Sequence, residues 1–366
     1  FGHACQEGEL VKLKLSLNWL LALVPVAVGL ETSHAPAPYI FFAAALGIVP
    51  IAALLVHATE QLATRTGDAV GGLLNATFGN APELIIAIVA LKAGLMQMVL
   101  ASIIGAVLAN LLLALGLAFL LGGLKKHDQE YNAGAARIYS SIMLITVIGL
   151  AAPGAFKNLF GVEAAVLRSD SLNIGLALLL LALYVLYLIF MLKTHPELFV
   201  SKGGGPEAHA AEWGVKRAVT TLVVASVGAA FMSEILVGAA EATGEALGMS
   251  QIFIGVILLA LIGGAAELGA AVTMGVRDRL DLSIGIALGS CMQIALFVAP
   301  VLVLASYFIA PEPLRLEFGK TAVGVLLMSV LIGTVVCADG HSNWYKGVQL
   351  VAVYLVLALL MYLAPG

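Results

Sequence analysis

Two glutamates stand where the sequence is otherwise apolar. Glu83 lies in "NATFGNAPELIIAIV" (75–89) and Glu267 in "GGAAELGAAVT" (263–273). A carboxylate in a run long enough to cross a membrane is costly to desolvate, and such groups ordinarily carry function. A protonated glutamic acid bonded to a neighbouring helix would explain one of them. Two in matching surroundings point to a shared site. Such a pair can ligate a cation with hard oxygens and can take up protons reversibly. Catalysis is not indicated, because the sequence has no Ser/His/Asp set, no paired aspartates and no His-Glu-x-x-His pattern.

The flanking residues bear on how the carboxylates are used. Pro82 lacks an N–H and its ring crowds the preceding turn, which predicts failed helical bonding around residues 78–82. Gly79 lowers the cost of unwinding there, and Gly263 with Gly264 does the same before Glu267. Broken helices free carbonyl oxygens, which membrane depth tolerates only beside a cavity or an ion. Freed carbonyls and two carboxylates suit Ca2+, which takes roughly 6–8 oxygens in a forgiving geometry. No His or Cys stands beside either glutamate, which argues against a softer metal. The pair also couples cation to proton. Like charges close together in low dielectric repel, so without a cation the two groups keep protons near neutral pH. A divalent cation neutralises both and expels those protons, so the two occupancies exclude each other.

The elements that must position these groups are legible from composition. The chain has 366 residues, 61% hydrophobic and 11% charged, with a mean hydropathy of +1.05. Soluble domains carry about 25% charged residues, so this is an all-α polytopic membrane protein. Apolar runs predict about eleven transmembrane helices: 17–31, 39–58, 70–94, 97–122, 136–156, 172–192, 216–241, 249–274, 283–308, 319–338 and 345–363. A net charge of −4 gives no sign of nucleic-acid binding. Cys5, Cys291 and Cys337 lack disulfide or zinc-site spacing. No cleavable signal pattern opens the chain. The long connection 193–215 reads as a flexible cytoplasmic hinge, and its His195, Glu197, His209 and Glu212 as solvated rather than metal-binding. Lys and Arg, including Lys125, Lys126, Arg277 and Arg279, favour one side. The N-terminus and hinge are therefore expected in the cytoplasm and the C-terminus outside.

Glu83 and Glu267 stand 184 positions apart, and the same offset aligns Gly79 with Gly263, Ala81 with Ala265, Leu84 with Leu268 and Gly105 with Gly289. The two motifs fall in the third and eighth spans. Five spans apart means opposite orientation, hence two inverted five-helix repeats with broken helices at the midplane, a transporter signature. The expected division is an N-terminal segment with the first helix (1–38), a first repeat (39–192), the hinge and a second repeat (216–366).

"GGLLNATFGNAPELIIA" (71–87) closely resembles the first α-repeat of the cation/proton exchangers in the calcium/cation antiporter superfamily. "GGAAELGAAVTMGVRDRLDLSIGIALGSCMQIALFVAP" (263–300) is similar to the second. The likeness covers nearly the whole chain. It implies an eleven-span H+/Ca2+ antiporter with Glu83 and Glu267 as central ligands and supporting roles for Asn80, Asn110, Ser290 and Gln293. Two positions depart from the family's usual Gly-Asn-Ala-Ala-Glu-His, since Gly264 replaces the Asn and Leu268 the His. One side-chain oxygen is lost.

Glu60, Glu234 and Glu241 fall near the ends of the second and seventh spans, where they can line access paths, and His57 beside Glu60 is a candidate proton relay. Interfacial carboxylates and a structural histidine are the plain alternatives. Asp339 and His341 read as solvated. Sodium coupling would favour hydroxyls beside each glutamate, where Ala, Pro, Leu and Ile stand instead. A channel fits less well than alternating access. The expectation is a prokaryotic inner-membrane antiporter of Ca2+ and H+, without a cofactor, partnered by lipid and compatible with a homo-oligomer.

Overall fold

In hydrocarbon, a backbone satisfies its own hydrogen bonds most simply as a helix, and most of this chain is helical. The computed structural model describes residues 17–66, 71, 73–74, 77–199 and 212–363, the side chains of 157–159 and 161–167 excepted. The helices are α1 (Leu17–Thr32), α2 (Ala37–Ala63), α3 (Ala81–Lys92), α4 (Met96–Lys125), α5 (Ala133–Phe156), α6 (Arg168–Thr194), α7 (Val215–Leu247), α8 (Gln251–Gly263), α9 (Ala265–Val276), α10 (Leu280–Ile309), α11 (Lys320–Val336) and α12 (Trp344–Leu363). Seven of these are long and apolar enough to cross a membrane, and α8 with α9 makes one more span bent by 61°. Large apolar side chains such as Ile148, Val227, Phe308 and Val335 face outward, as lipid contact requires.

The break expected around 78–82 is present: residues 79–80 form a turn and α3 starts at Ala81. Pro82 sits in the first turn of α3, where a missing N–H costs nothing. The proline thus stands just after the break, in the first turn of the helix that follows. Other boundaries differ from expectation. Helical residues continue from Ala133 to Ile189 with no loop at 157–171. Within that run α5 and α6 still lie side by side, because a Cβ on Gly149 would sit 3.2 Å from Leu180 Cδ2. Helix α7 extends beyond 241 to Leu247.

The described ends of the connection 193–215 are both held. Pro196–Phe199 forms a 3-10 turn whose Phe199 ring packs edge-on against Tyr139. Trp213 donates its N–H to Gln61 and accepts from Arg65 through its carbonyl. Its ring meets His57 and Arg217. His195 and Glu197 are exposed, while His209 lies outside the described residues, as do Cys5 and Asn75.

Packing falls into two apolar clusters. One joins α1, α2 and α7 through Phe41, Ile48, Leu55, Met232 and Leu236. The other holds α4 to α6 and α9 to α12 around Leu112, Phe119, Met143, Leu288 and Leu302. Helices α4 and α8 approach so closely that a Cβ at Gly105 would collide with the Val256 carbonyl. One at Gly255 would reach the Met98 carbonyl at 2.6 Å. At one end, strand β1 (Gln129–Glu130) pairs antiparallel with β2 (His341–Ser342). There Lys346 binds both Asp339 oxygens at 2.6 Å. Partial burial opposes the Asp339 charge, but this ammonium outweighs it and holds the carboxyl below its ordinary value.

Candidate ion site between two helix breaks

The site is built where two helices begin. Asn80 precedes α3 with φ −96° and ψ 25°, and Gly264 precedes α9 with φ −82° and ψ 12°. The first intrahelical bonds follow at once, Leu84 N–H to the Asn80 carbonyl at 3.1 Å and Leu268 N–H to the Gly264 carbonyl at 2.9 Å. Glu83 and Glu267 therefore occupy first turns, where the helix's partial positive charge favours an anion by about 0.3–1 kcal/mol. That gain is far smaller than the cost of burying a carboxylate, several kcal/mol per ion.

The two breaks abut. A Cβ at residue 263 would touch Glu83 Cγ at 3.0 Å, and one at 264 would stand 3.6 Å from Glu83 Oε1. The bare backbone of Gly263 and Gly264 is what admits the Glu83 carboxylate. Glu267, three positions beyond Gly264, is 8% exposed. All four carboxylate oxygens are buried, and none has a hydrogen-bond partner. Such groups need a proton or a cation.

A chain of amides and one hydroxyl fixes the neighbouring helices. Asn110 Nδ2 donates to Ser290 Oγ at 3.0 Å, Ser290 donates to Asn80 Oδ1 at 3.0 Å, and Asn80 Nδ2 donates to Gln293 Oε1. Asn110 lies in the π turn Ala109–Ala114, and Gln293 immediately precedes the π turn Ile294–Val298. Wide turns of this kind re-aim side chains and free carbonyls, and they recur at functional sites. The Asn80 oxygen keeps a second lone pair for a cation.

A cavity of about 280 Å³ reaches this centre. Gly79, Asn80, Glu267, Ser290 and Gln293 form its inner wall, and Glu60, Asn132, Tyr139, Phe199 and Asp281 line it toward the loops. No Lys or Arg lines it among the described residues. Glu83 faces a much smaller gap, about 20 Å³, walled by Ile86, Ala87, Ile103, Leu259 and Leu302. Its one hydroxyl neighbour, Ser102, donates to its own helix at Val99.

Of the remaining sequence candidates, Glu60 joins the cavity, with His57 Nδ1 at 3.7 Å from its Oε2. Glu234 is exposed on α7, away from the cavity. Glu241 accepts from Gln251 at 2.6 Å in a separate surface pocket. Asn132, Tyr139, Phe199 and Asp281 were not foreseen. Asp281 had a signal, an acid at the start of the ninth span in "RDRLDLSIG", hidden by the arginines that mark topology. Among the described residues no three His, Cys, Asp or Glu side chains converge as a metal centre. The donor set is two carboxylates with neutral oxygens around them.

The chain as a whole is similar to known proteins. The family described as "Sodium/calcium exchanger protein" matches residues 36–193 and again 217–363. A Ca(2+)/H(+) antiporter of Aphanothece halophytica is 39% identical over 360 residues, covering 94% of this chain and 96% of that protein. The Ca(2+)/H(+) antiporter ChaA of Bacillus subtilis is 38% identical, covering 93% and 96%. The solved structure of native YfkE superposes with a TM-score of 0.82 at 36% identity, covering 95% of this chain and all of that one.

Proposed function

Since the chain belongs to the sodium/calcium exchanger protein family, we propose that it exchanges Ca2+ for H+, as relatives named Ca(2+)/H(+) antiporter do, and that it does so across a membrane by alternating access. One observation carries the mechanism: four buried carboxylate oxygens without partners, on two glutamates brought together at opposed helix breaks. One Ca2+ or two protons leave the pair with the same net charge, and a centre holding neither keeps buried charge uncompensated. Loaded forms therefore change sides readily, and the unloaded form does not. Asn80, Asn110, Ser290, Gln293 and the bare backbone at Gly79, Gly263 and Gly264 complete the site around Glu83 and Glu267. Glu60 and His57 flank the access path in this conformation, and Glu241 serves the opposite face when that opens. Glu234 keeps the weakest claim to a path. The cargo needs no cofactor.

Eleven spans in two inverted repeats account for the architecture, with 1–38 before the first repeat, 39–192 and 216–366 as the repeats, and 193–215 between them. The double match of one family supports this, as do two twelve-residue helices with near-identical starts, 184 positions apart. The cavity then opens to the cytoplasm with the N-terminus, in a bacterial inner membrane. Sodium coupling gains no support from Ala, Pro, Leu and Ile beside the glutamates. The test is Ca2+ uptake by proteoliposomes with and without an imposed pH gradient. Uptake driven by the gradient is expected, and uptake that ignores it, or that requires Na+, would overturn the reading.

A further inference from the structure

Asp281 is the carboxylate that the ion site does not use. It stands in the first turn of α10, on the wall of the cavity whose inner end is Glu267. Its Oδ1 accepts the Asn132 backbone N–H at 2.6 Å. Asn132 in turn caps α5, accepting from Gly134 and Ala135, and donates to the Leu198 carbonyl. One wall of the mouth is thereby fixed, with Asp281 at its centre. Glu60 lies on another wall, from the end of α2.

The sign of the field follows from the lining. Glu60, Asp281 and Glu267 are acidic, and the other polar lining groups are neutral amides and hydroxyls. Of the basic residues in the described loops nearby, Lys126 lies 3.9 Å from Asp278 and Arg65 donates to the Trp213 carbonyl. A narrow, low-dielectric opening lined by one sign of charge concentrates the counter-ion. At the far end waits Glu267, more than nine-tenths buried, with both oxygens unpartnered.

We propose that Asp281 is a staging carboxylate. It draws a divalent cation into the mouth opposite Glu60 and hands it inward, setting the half-saturating Ca2+ concentration on that face without setting the turnover rate. The proposal rests on the antiporter reading and adds a specificity-determining residue to it. At the repeat-related position 97 the sequence has glutamine, so this device belongs to one face of the protein.

Asp281→Asn removes the charge and keeps an oxygen to accept the Asn132 N–H. Everted vesicles present the Asp281 mouth to the bath in the orientation proposed above. At low ionic strength the variant should need several-fold more Ca2+ for half-maximal uptake, with its maximal rate within about twofold of wild type. Because the Debye length falls to about 10 Å at 0.1 M salt, the gap should narrow as salt is added. Asp281→Ala, which also removes the acceptor, should lower the maximal rate as well. An unchanged half-saturation in Asp281→Asn, a loss confined to maximal rate, or a gap indifferent to salt would each overturn the staging role. Wild-type vesicles without proton-driven Ca2+ uptake would overturn the antiporter reading itself, and Asp281's role with it.

Discussion

At Asn80 and at Gly264 the chain makes nearly the same bend, φ −96°, ψ 25° against φ −82°, ψ 12°. Each bend starts a twelve-residue helix with a glutamate at its third position. Beyond the backbone the likeness ends. Asn80 is tied through Ser290 and Gln293 to α10, and Glu267 beside that network borders the cavity of about 280 Å³. Gly264 offers no side chain, and Glu83 beside it faces an apolar gap of about 20 Å³. Similar backbone places two similar carboxylates, and different neighbours give, among the described residues, only one of them a polar approach. The difference separates position, which the two breaks share, from access, which in this conformation they do not.

The strongest way to break the comparison is to remove each charge in turn. Glu83→Gln and Glu267→Gln keep shape but can neither carry charge nor release a proton. If the carboxylates are equivalent in function, each variant should lose at least about tenfold in reconstituted Ca2+ transport, the loss expected when a buried charge-assisted contact worth about 1.5–3 kcal/mol disappears. Both should remain folded, with unchanged elution from a sizing column. Near-wild-type transport in one variant alone would make the pair unequal in role as well as in access.

Proton competition is the next test. Each carboxylate must give up its proton before it ligates Ca2+, so apparent affinity should rise with pH, by about tenfold per unit for each proton displaced, and level off once both are ionised. As pH falls, protons replace the metal as the neutralising charge. Calcium binding to purified protein, followed across pH with proton release recorded in weak buffer, checks the sign and the count. Release of close to two protons per Ca2+ would confirm that both breaks contribute. Release of one would mark a single proton carrier, and binding indifferent to pH would separate ligand from carrier altogether.

What the sequence disclosed follows the same division. Glu83, Glu267 and the glycines before them were legible because a charge in an apolar run and a helix breaker are local features. The break around 78–82 was legible from Pro82 and Gly79, whereas the place of Pro82 in the first turn after it depended on where the preceding turn ends, at Gly79 and Asn80. Asn132, Tyr139 and Phe199 were invisible because each reaches the cavity only through the fold, Asn132 and Phe199 from connections and Tyr139 from α5. The hinge looked flexible from its Gly, Pro and charge. Phe199 and Trp213 show its ends held by aromatic packing that composition does not reveal.

A milder change tests whether the missing side chain at the second break matters. Gly264→Asn gives both breaks the same residue. The backbone conformation suits it, since Asn80 adopts nearly the same one, but a new Cβ would lie 3.2 Å from the Ala260 carbonyl, which must give by a few tenths of an ångström, and 3.6 Å from Glu83 Oε1. Its amide oxygen would then stand beside the Glu83 carboxylate as an added ligand. Calcium should bind more tightly, by up to about tenfold for one further charge-assisted contact, with altered competition from Mn2+. Calcium affinity and Mn2+ competition identical to wild type would show that residue 264 does not face the cation.

The smallest change makes the first break resemble the second. Ser290→Ala deletes the one hydroxyl that links Asn110 to Asn80, and Ala106, 184 positions earlier, already shows what that site looks like without it. Asn80 keeps its bond to Gln293, so the amide stays near its place but is less firmly aimed. A net hydrogen bond is worth about 0.5–1.5 kcal/mol, which sets the expected rise in half-saturating Ca2+ at roughly two- to tenfold. Asn110 is 2% exposed and its amide would lose its partner, so thermal stability in detergent should fall as well. Adding the Gly264→Asn change separates two accounts of that loss. If the network acts by aiming Asn80, an asparagine at the other break should recover calcium affinity without recovering stability, because it supplies an oxygen to the ion and nothing to Asn110. If both recover together, the two breaks are coupled through the packing of α3 against α8, and the Ser290 hydroxyl serves the fold before it serves the ion.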